Sequence, residues 1–170
     1  MQTTLVMTVI GQDRTGLVES VAHVVAEHGG NWLESRMCRL GGEFAGIVRV
    51  TVPKSQRQAL ETALGQLSGL TIVVHGDEPV PSTVEAALVT LEVVGQDRPG
   101  IVREITRALS AQGINVEELA TECVSAPMSG ELLFQARAKI LVPANVALDK
   151  LRQTLESGLA GLTVEVERIK

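Results

Sequence analysis

The chain has 170 residues, 45% of them hydrophobic and 21% charged, with 15 lysines and arginines against 20 aspartates and glutamates. Its formal net charge of −5 leaves no electrostatic footprint for a polyanion, and its only aromatics are Trp32, Phe44 and Phe134, so direct nucleic-acid binding by phosphate contacts or base stacking is not expected. Two cysteines make no disulfide framework, the N-terminus lacks a basic region followed by an apolar run, and no apolar stretch approaches about 18 residues, so a cytoplasmic protein without membrane contact is expected.

Residues 3–10 alternate and are β-branched, which suits a strand. Residues 17–28 place Leu17, Val21, Val24 and Val25 at helical spacing, with Glu19, His23 and Glu27 outside. Two strands, 31–39 and 44–52, flank the turn signal Gly41-Gly42, with Phe44, Val48, Val50 and Val52 on one face and Arg49 and Thr51 on the other. Lys54 to Leu67 brings Leu60, Ala63, Leu64 and Leu67 onto one helical face, and Gly69 stops the helix before a strand at 70–75.

The same order then returns. VIGQDRTGLV at 9–18 is repeated as VVGQDRPGIV at 93–102, 84 residues further on, and Asn31 maps to Asn115 at that spacing. FAGIVRVTVP at 44–53 aligns with FQARAKILVP at 134–143, and GLTIVV at 69–74 with GLTVEV at 161–166. The added length lies near Ser125–Gly130, a longer hairpin loop in the second copy. Phe134, Ala136, Ala138, Ile140 and Val142 alternate with Gln135, Arg137, Lys139 and Leu141, so one face of this strand meets helices and most of the other stays polar. Residues 1–78 form a first domain, 79–85 a polar, proline-containing linker, and 86–170 a second domain. Each reads as βαββαβ, an α+β ferredoxin-like unit with an antiparallel sheet and both helices on one face.

Gly11-Gln12-Asp13-Arg14-Thr15-Gly16 and Gly95-Gln96-Asp97-Arg98-Pro99-Gly100 join the first strand of each copy to its first helix. The first N–H groups of a helix point outward with partial positive charge, which favours an anion. Asp13 and Asp97 stand where a dinucleotide-binding loop has its second glycine, and a carboxylate there repels pyrophosphate. A zwitterionic amino acid fits better: its carboxylate takes the helix terminus, and its ammonium takes Asp13 or Asp97, or the side-chain carbonyl of Asn31 or Asn115. A plainer account is open too, in which the aspartates cap helices and the glycines only shape a turn.

The remaining constellations are weaker. His23 and His28 lie about 140° apart around a helix and do not converge on a metal. Cys38 and Cys123 fall at near-equivalent places in the second strands, where buried, inert thiols are expected.

The spacing G-x-D-x-[PT]-G-[LI]-V between strand and helix, the Gly-Asn-Trp-Leu and Gly-Ile-Asn-Val openings of the second strands, and the tandem βαββαβ order resemble the ACT-domain family. Two copies without a catalytic domain look most like the glycine cleavage system transcriptional repressor family. The resemblance implies a non-enzymatic regulatory protein without cofactor or metal, binding a small amino acid at the strand-to-helix loops and domain interfaces, with glycine or serine expected. By position it names Asp13, Arg14, Thr15, Gly16 and Asn31, and Asp97, Arg98, Pro99, Gly100 and Asn115. It also implies transcription control through a protein partner such as a transcription activator, and it is compatible with a homo-oligomer. Two alternatives are an acylphosphatase-like enzyme, for which Arg14 with Asn31 and Arg98 with Asn115 have the right residue types, and a purely structural dimerisation module.

Overall fold

In the computed structural model, which describes residues 1–77, 85–126 and 130–169, the chain divides into two compact units, Met1–Val80 and Pro81–Lys170. The first contains β1 (Gln2–Gln12), α1 (Leu17–Glu27), β2 (Asn31–Leu40), β3 (Glu43–Pro53), a 3-10 turn (Lys54–Gln56), α2 (Arg57–Gly65) and β4 (Thr71–Gly76). The second contains β5 (Ala86–Gln96), α3 (Ile101–Ser110), β6 (Asn115–Ser125), β7 (Leu132–Pro143), α4 (Leu148–Gly158) and β8 (Leu162–Arg168). Both sheets are antiparallel, ordered β2-β3-β1-β4 and β6-β7-β5-β8. Each unit is therefore the expected βαββαβ sandwich. No helix among the described residues is long and apolar enough to cross a membrane.

Each core lies between one sheet face and two helices. In the first unit Leu5, Met7 and Val9 of β1 and Val48, Val50 and Val52 of β3 meet Val21, Val24 and Val25 of α1 and Leu60 and Leu64 of α2. Ala63 and Leu67 pack at its margin. In the second, the five alternating residues from Phe134 to Val142 are all buried, against Ile101, Ile105 and Leu109 of α3 and Leu151 and Leu155 of α4. Period two in the strands and near four in the helices put each apolar set on a single face, and burying those sets against each other drives the association.

Turns behave as their glycines demand. Gly41 and Gly42 both have positive φ, 60° and 87°, the pair of left-handed residues that a two-residue hairpin needs to match strand twist. Gly69, between α2 and β4, takes the left-handed conformation at φ 76°. The helix expected over 54–67 begins instead with a 3-10 turn and ends at Gly65. The proposed linker lies outside the described residues except for Glu85, as does the middle of the Ser125–Gly130 loop. The ends of that loop are closed by hydrogen bonds from Ala126 N–H to Glu131 O and from Gly130 N–H to Ala126 O.

The outer sheet faces differ. In the second unit Arg137 pairs with Glu92 and Lys139 with Glu118 across the strands, so the expected polar face is realised. In the first, Ile10, Ile47 and Val73 are about half exposed on the face away from the helices.

Candidate functional site

The loops after β1 and β5 share one geometry. Gly16 and Gly100 precede α1 and α3 at φ 91° and 89°, a left-handed conformation that costs an L-side chain and suits glycine. The N–H of Ser20 bonds to Gly16 O and that of Glu104 to Gly100 O, so the helical ladder starts there. Neither helix has a side-chain cap, and the donors before Ser20 and Glu104 are left at the helix terminus. Asp13 and Asp97 are thus not N-caps, which removes the plainer account of them. Their backbone N–H groups instead bond to Gly42 O and Leu132 O of the neighbouring hairpins.

The first glycine of the motif has a separate cause. A side chain at Gly11 would strike Gly69 O, and one at Gly95 would strike Leu162 and Gly161 O. Gly11 and Gly95 let the end of the central strand lie against the start of β4 or β8. They are packing residues rather than part of a ligand cradle.

In the first unit, Asp13, Arg14, Gly16, Leu17, Val18, Glu19 and Phe44 line an open pocket of about 240 Å³. Thr15 is exposed beside it. The Arg14 guanidinium donates to Ser68 O at 2.7 Å, and Arg39 of β2 pairs with the Asp13 carboxylate. In the second unit Arg98 instead forks onto Glu104, with N···O distances of 2.8 and 2.5 Å. The hydrogen bond to Arg98 holds the Glu104 carboxyl below its ordinary value, and the guanidinium is raised in turn. Ser20 occupies the place of Glu104 in the first unit, which is why Arg14 turns elsewhere.

Asn31 and Asn115 open β2 and β6, both exposed, and Asn115 Nδ2 donates to Glu117 Oε1. The strand register sets them apart from the loops. Asn31 lies level with Thr51 and hence with Thr4, nine residues before Asp13; Asn115 lies level with Leu141 and Leu88, nine before Asp97. At about 3.3 Å per residue the separation is about 30 Å. Within one unit, therefore, the asparagine and the loop sit at opposite ends of the sheet and cannot share a small ligand. The same distance corrects the expectation that Arg14 with Asn31, or Arg98 with Asn115, resembles an acylphosphatase pair.

The cysteines also depart from expectation. Both are exposed, and they are not equivalent: Cys38 pairs in register with Ala45, whereas Cys123 pairs with Phe134, the place held in the first unit by Arg39 opposite Phe44. Cys123 stands beside Asp97. Local desolvation, then the Asp97 charge and a hydrogen bond to it, raise the thiol above its ordinary value. Arg39 and Glu104 were not singled out by sequence, and Cys123 was singled out only as a buried, inert thiol. The hairpin register from Gly41-Gly42 could have placed Arg39 opposite Phe44, but not against Asp13. No group of three or more metal-ligating side chains occurs among the described residues.

Comparison with known proteins matches residues 3–75 and again 89–153 to the ACT domain. The chain belongs to the ACT-domain family. Two such domains lie in tandem, and the chain is similar to the glycine cleavage system transcriptional repressor of Escherichia coli K12, 27% identical over 148 residues that cover 85% of this chain and 77% of that protein. A solved protein of unknown role from Galdieria sulphuraria is 30% identical over the full length of both chains, with a TM-score of 0.86. A structure assigned to a glycine cleavage system transcriptional repressor shares the fold at a TM-score of 0.71 and 23% identity, covering 100% of this chain and 99% of that one.

Proposed function

We propose that this ACT-domain protein is a non-enzymatic regulator that binds a small amino acid, glycine or serine, and controls transcription indirectly through a protein partner such as a transcription activator. The observation that carries the reading is the repeated loop: an uncapped helix start behind a left-handed glycine, with a carboxylate alongside. Unpaired helix N–H groups favour a ligand carboxylate, and an aspartate favours its ammonium. A volume of about 240 Å³ suits an amino acid better than the larger clefts that enclose drug-sized ligands. Asp13, Arg14, Thr15 and Gly16, and Asp97, Arg98, Pro99 and Gly100, are the proposed loop residues. Asn31 and Asn115 lie too far along the sheet to complete the loop of their own unit.

The similarity to a transcriptional repressor supports the regulatory role, and the net charge of −5 favours action through a protein rather than on DNA directly. The enzyme alternative loses its support from geometry, since Arg98 is committed to Glu104 and each asparagine lies far from the arginine of its own unit. A thermal-shift screen of the twenty amino acids tests the proposal. A ligand at about 100 times its Kd adds about 2.7 kcal/mol of stability, so a clear rise in melting temperature confined to one or two small amino acids is expected. No shift with any of them would leave the structural dimerisation module as the better account.

A further inference from the structure

The two loops have the same backbone and different charges. Arg39 and Cys123 occupy one register position, each opposite a phenylalanine and each beside the loop aspartate. Arg39 is a tethered cation already seated on Asp13, and a ligand ammonium reaching that carboxylate must displace it and suffer its repulsion. At Asp97 the neighbour is a thiol, which is neutral and small. Arg98 does not compete for Asp97, because both arms of its guanidinium are held by Glu104. Among the described residues no cation pairs with Asp97.

The helix starts differ in the same sense. Glu19 lines the first pocket at the first turn of α1, where it opposes an incoming carboxylate. Its counterpart in the repeat is Arg103 of α3, and the acid of that first turn, Glu104, is neutralised by Arg98. The second loop therefore presents an aspartate without a cation for an ammonium and a helix terminus without a free acid for a carboxylate. Resting on the amino-acid-binding reading above, we infer that residues 39 and 123 are the specificity determinants of the two loops: Asp97 accepts the ligand's ammonium without a competing cation, and Arg39 competes with it for Asp13.

Isothermal titration of the full chain with glycine and with serine tests this in the wild type and five variants. The wild type binds one equivalent. Asp97→Ala and Cys123→Arg each weaken binding about tenfold or more, the loss expected of a charge-assisted contact. Asp13→Ala weakens it less than Asp97→Ala does, Cys123→Ala less than Cys123→Arg, and Arg39→Cys adds a second, weaker equivalent. Circular-dichroism melting of each variant, with Cys123→Ala as the small replacement, separates loss of binding from loss of fold. Equal losses in Asp13→Ala and Asp97→Ala would overturn the assignment while leaving amino-acid binding intact, as would full affinity in Cys123→Arg. No heat from either amino acid in the wild type would overturn both the assignment and the reading beneath it.

Discussion

The two glycines of the repeated motif serve unlike purposes, and their substitutions should differ accordingly. Alanine at Gly16 or Gly100 meets no atom within 4 Å, so its cost is that of holding a left-handed L-residue, about 1–2 kcal/mol. Alanine at Gly11 drives its Cβ to 2.1 Å from the backbone carbonyl of Gly69, whereas at Gly95 the nearest atom is the far end of the Leu162 side chain and the Gly161 carbonyl stands further off, at 2.7 Å. Overpacking against backbone typically costs about 1–3 kcal/mol or more. Urea denaturation should therefore rank Gly11→Ala as more damaging than Gly95→Ala. The opposite order would mean that β4 gives way more easily than Leu162. Asp97→Ala, with no cap to lose, should change fold stability by about 0.5 kcal/mol or less, and Asp13→Ala by at most about 1 kcal/mol for an exposed ion pair.

At the scale of the element, α3 is tied to its preceding loop by the Arg98–Glu104 fork, and α1 has no such tie. Because Glu104 has its folded pKa lowered, chiefly by its hydrogen bond to Arg98, the link contributes stability above the unfolded value, near 4.5. It is lost as pH falls through the lower folded value. The melting temperature should therefore drop on acidification below about pH 4.5, and Glu104→Gln, already without the ion pair at neutral pH, should show a smaller drop. Identical acid profiles for the two proteins would count against the link. The edge strands were the least legible elements: β2 and β6 both carry a register shift, between Trp32 and Glu34 and between Val116 and Glu118. Largely exposed edge strands lack the clean alternation that marked β7, so a bulge leaves no pattern to break.

For the whole molecule, two separately cored units carry a net charge of −5. Specific or non-specific duplex binding draws much of its strength from releasing counterions at neutralised phosphates. Purified protein should not retard duplex DNA at low or moderate salt; a shifted band that weakens with added salt would contradict the indirect mode of control.

The sequence by itself determined the element order, the repeat and both cores, because alternation from Phe134 to Val142 and helical spacing such as Leu17, Val21, Val24 and Val25 are local, periodic properties. It also marked both loops through Gly-Gln-Asp-Arg. What only the tertiary structure decided was which side chains meet. Strand register put Asn31 and Asn115 at the end of the sheet away from Asp13 and Asp97, and the fold set Arg39 and Cys123, which the 84-residue spacing already equates, beside those aspartates. Ion pairing then took Asp13 to Arg39 and Arg98 to Glu104. Such pairings depend on where antiparallel strands align and where a loop lies on its neighbouring hairpin, and those are distances between residues far apart in the chain.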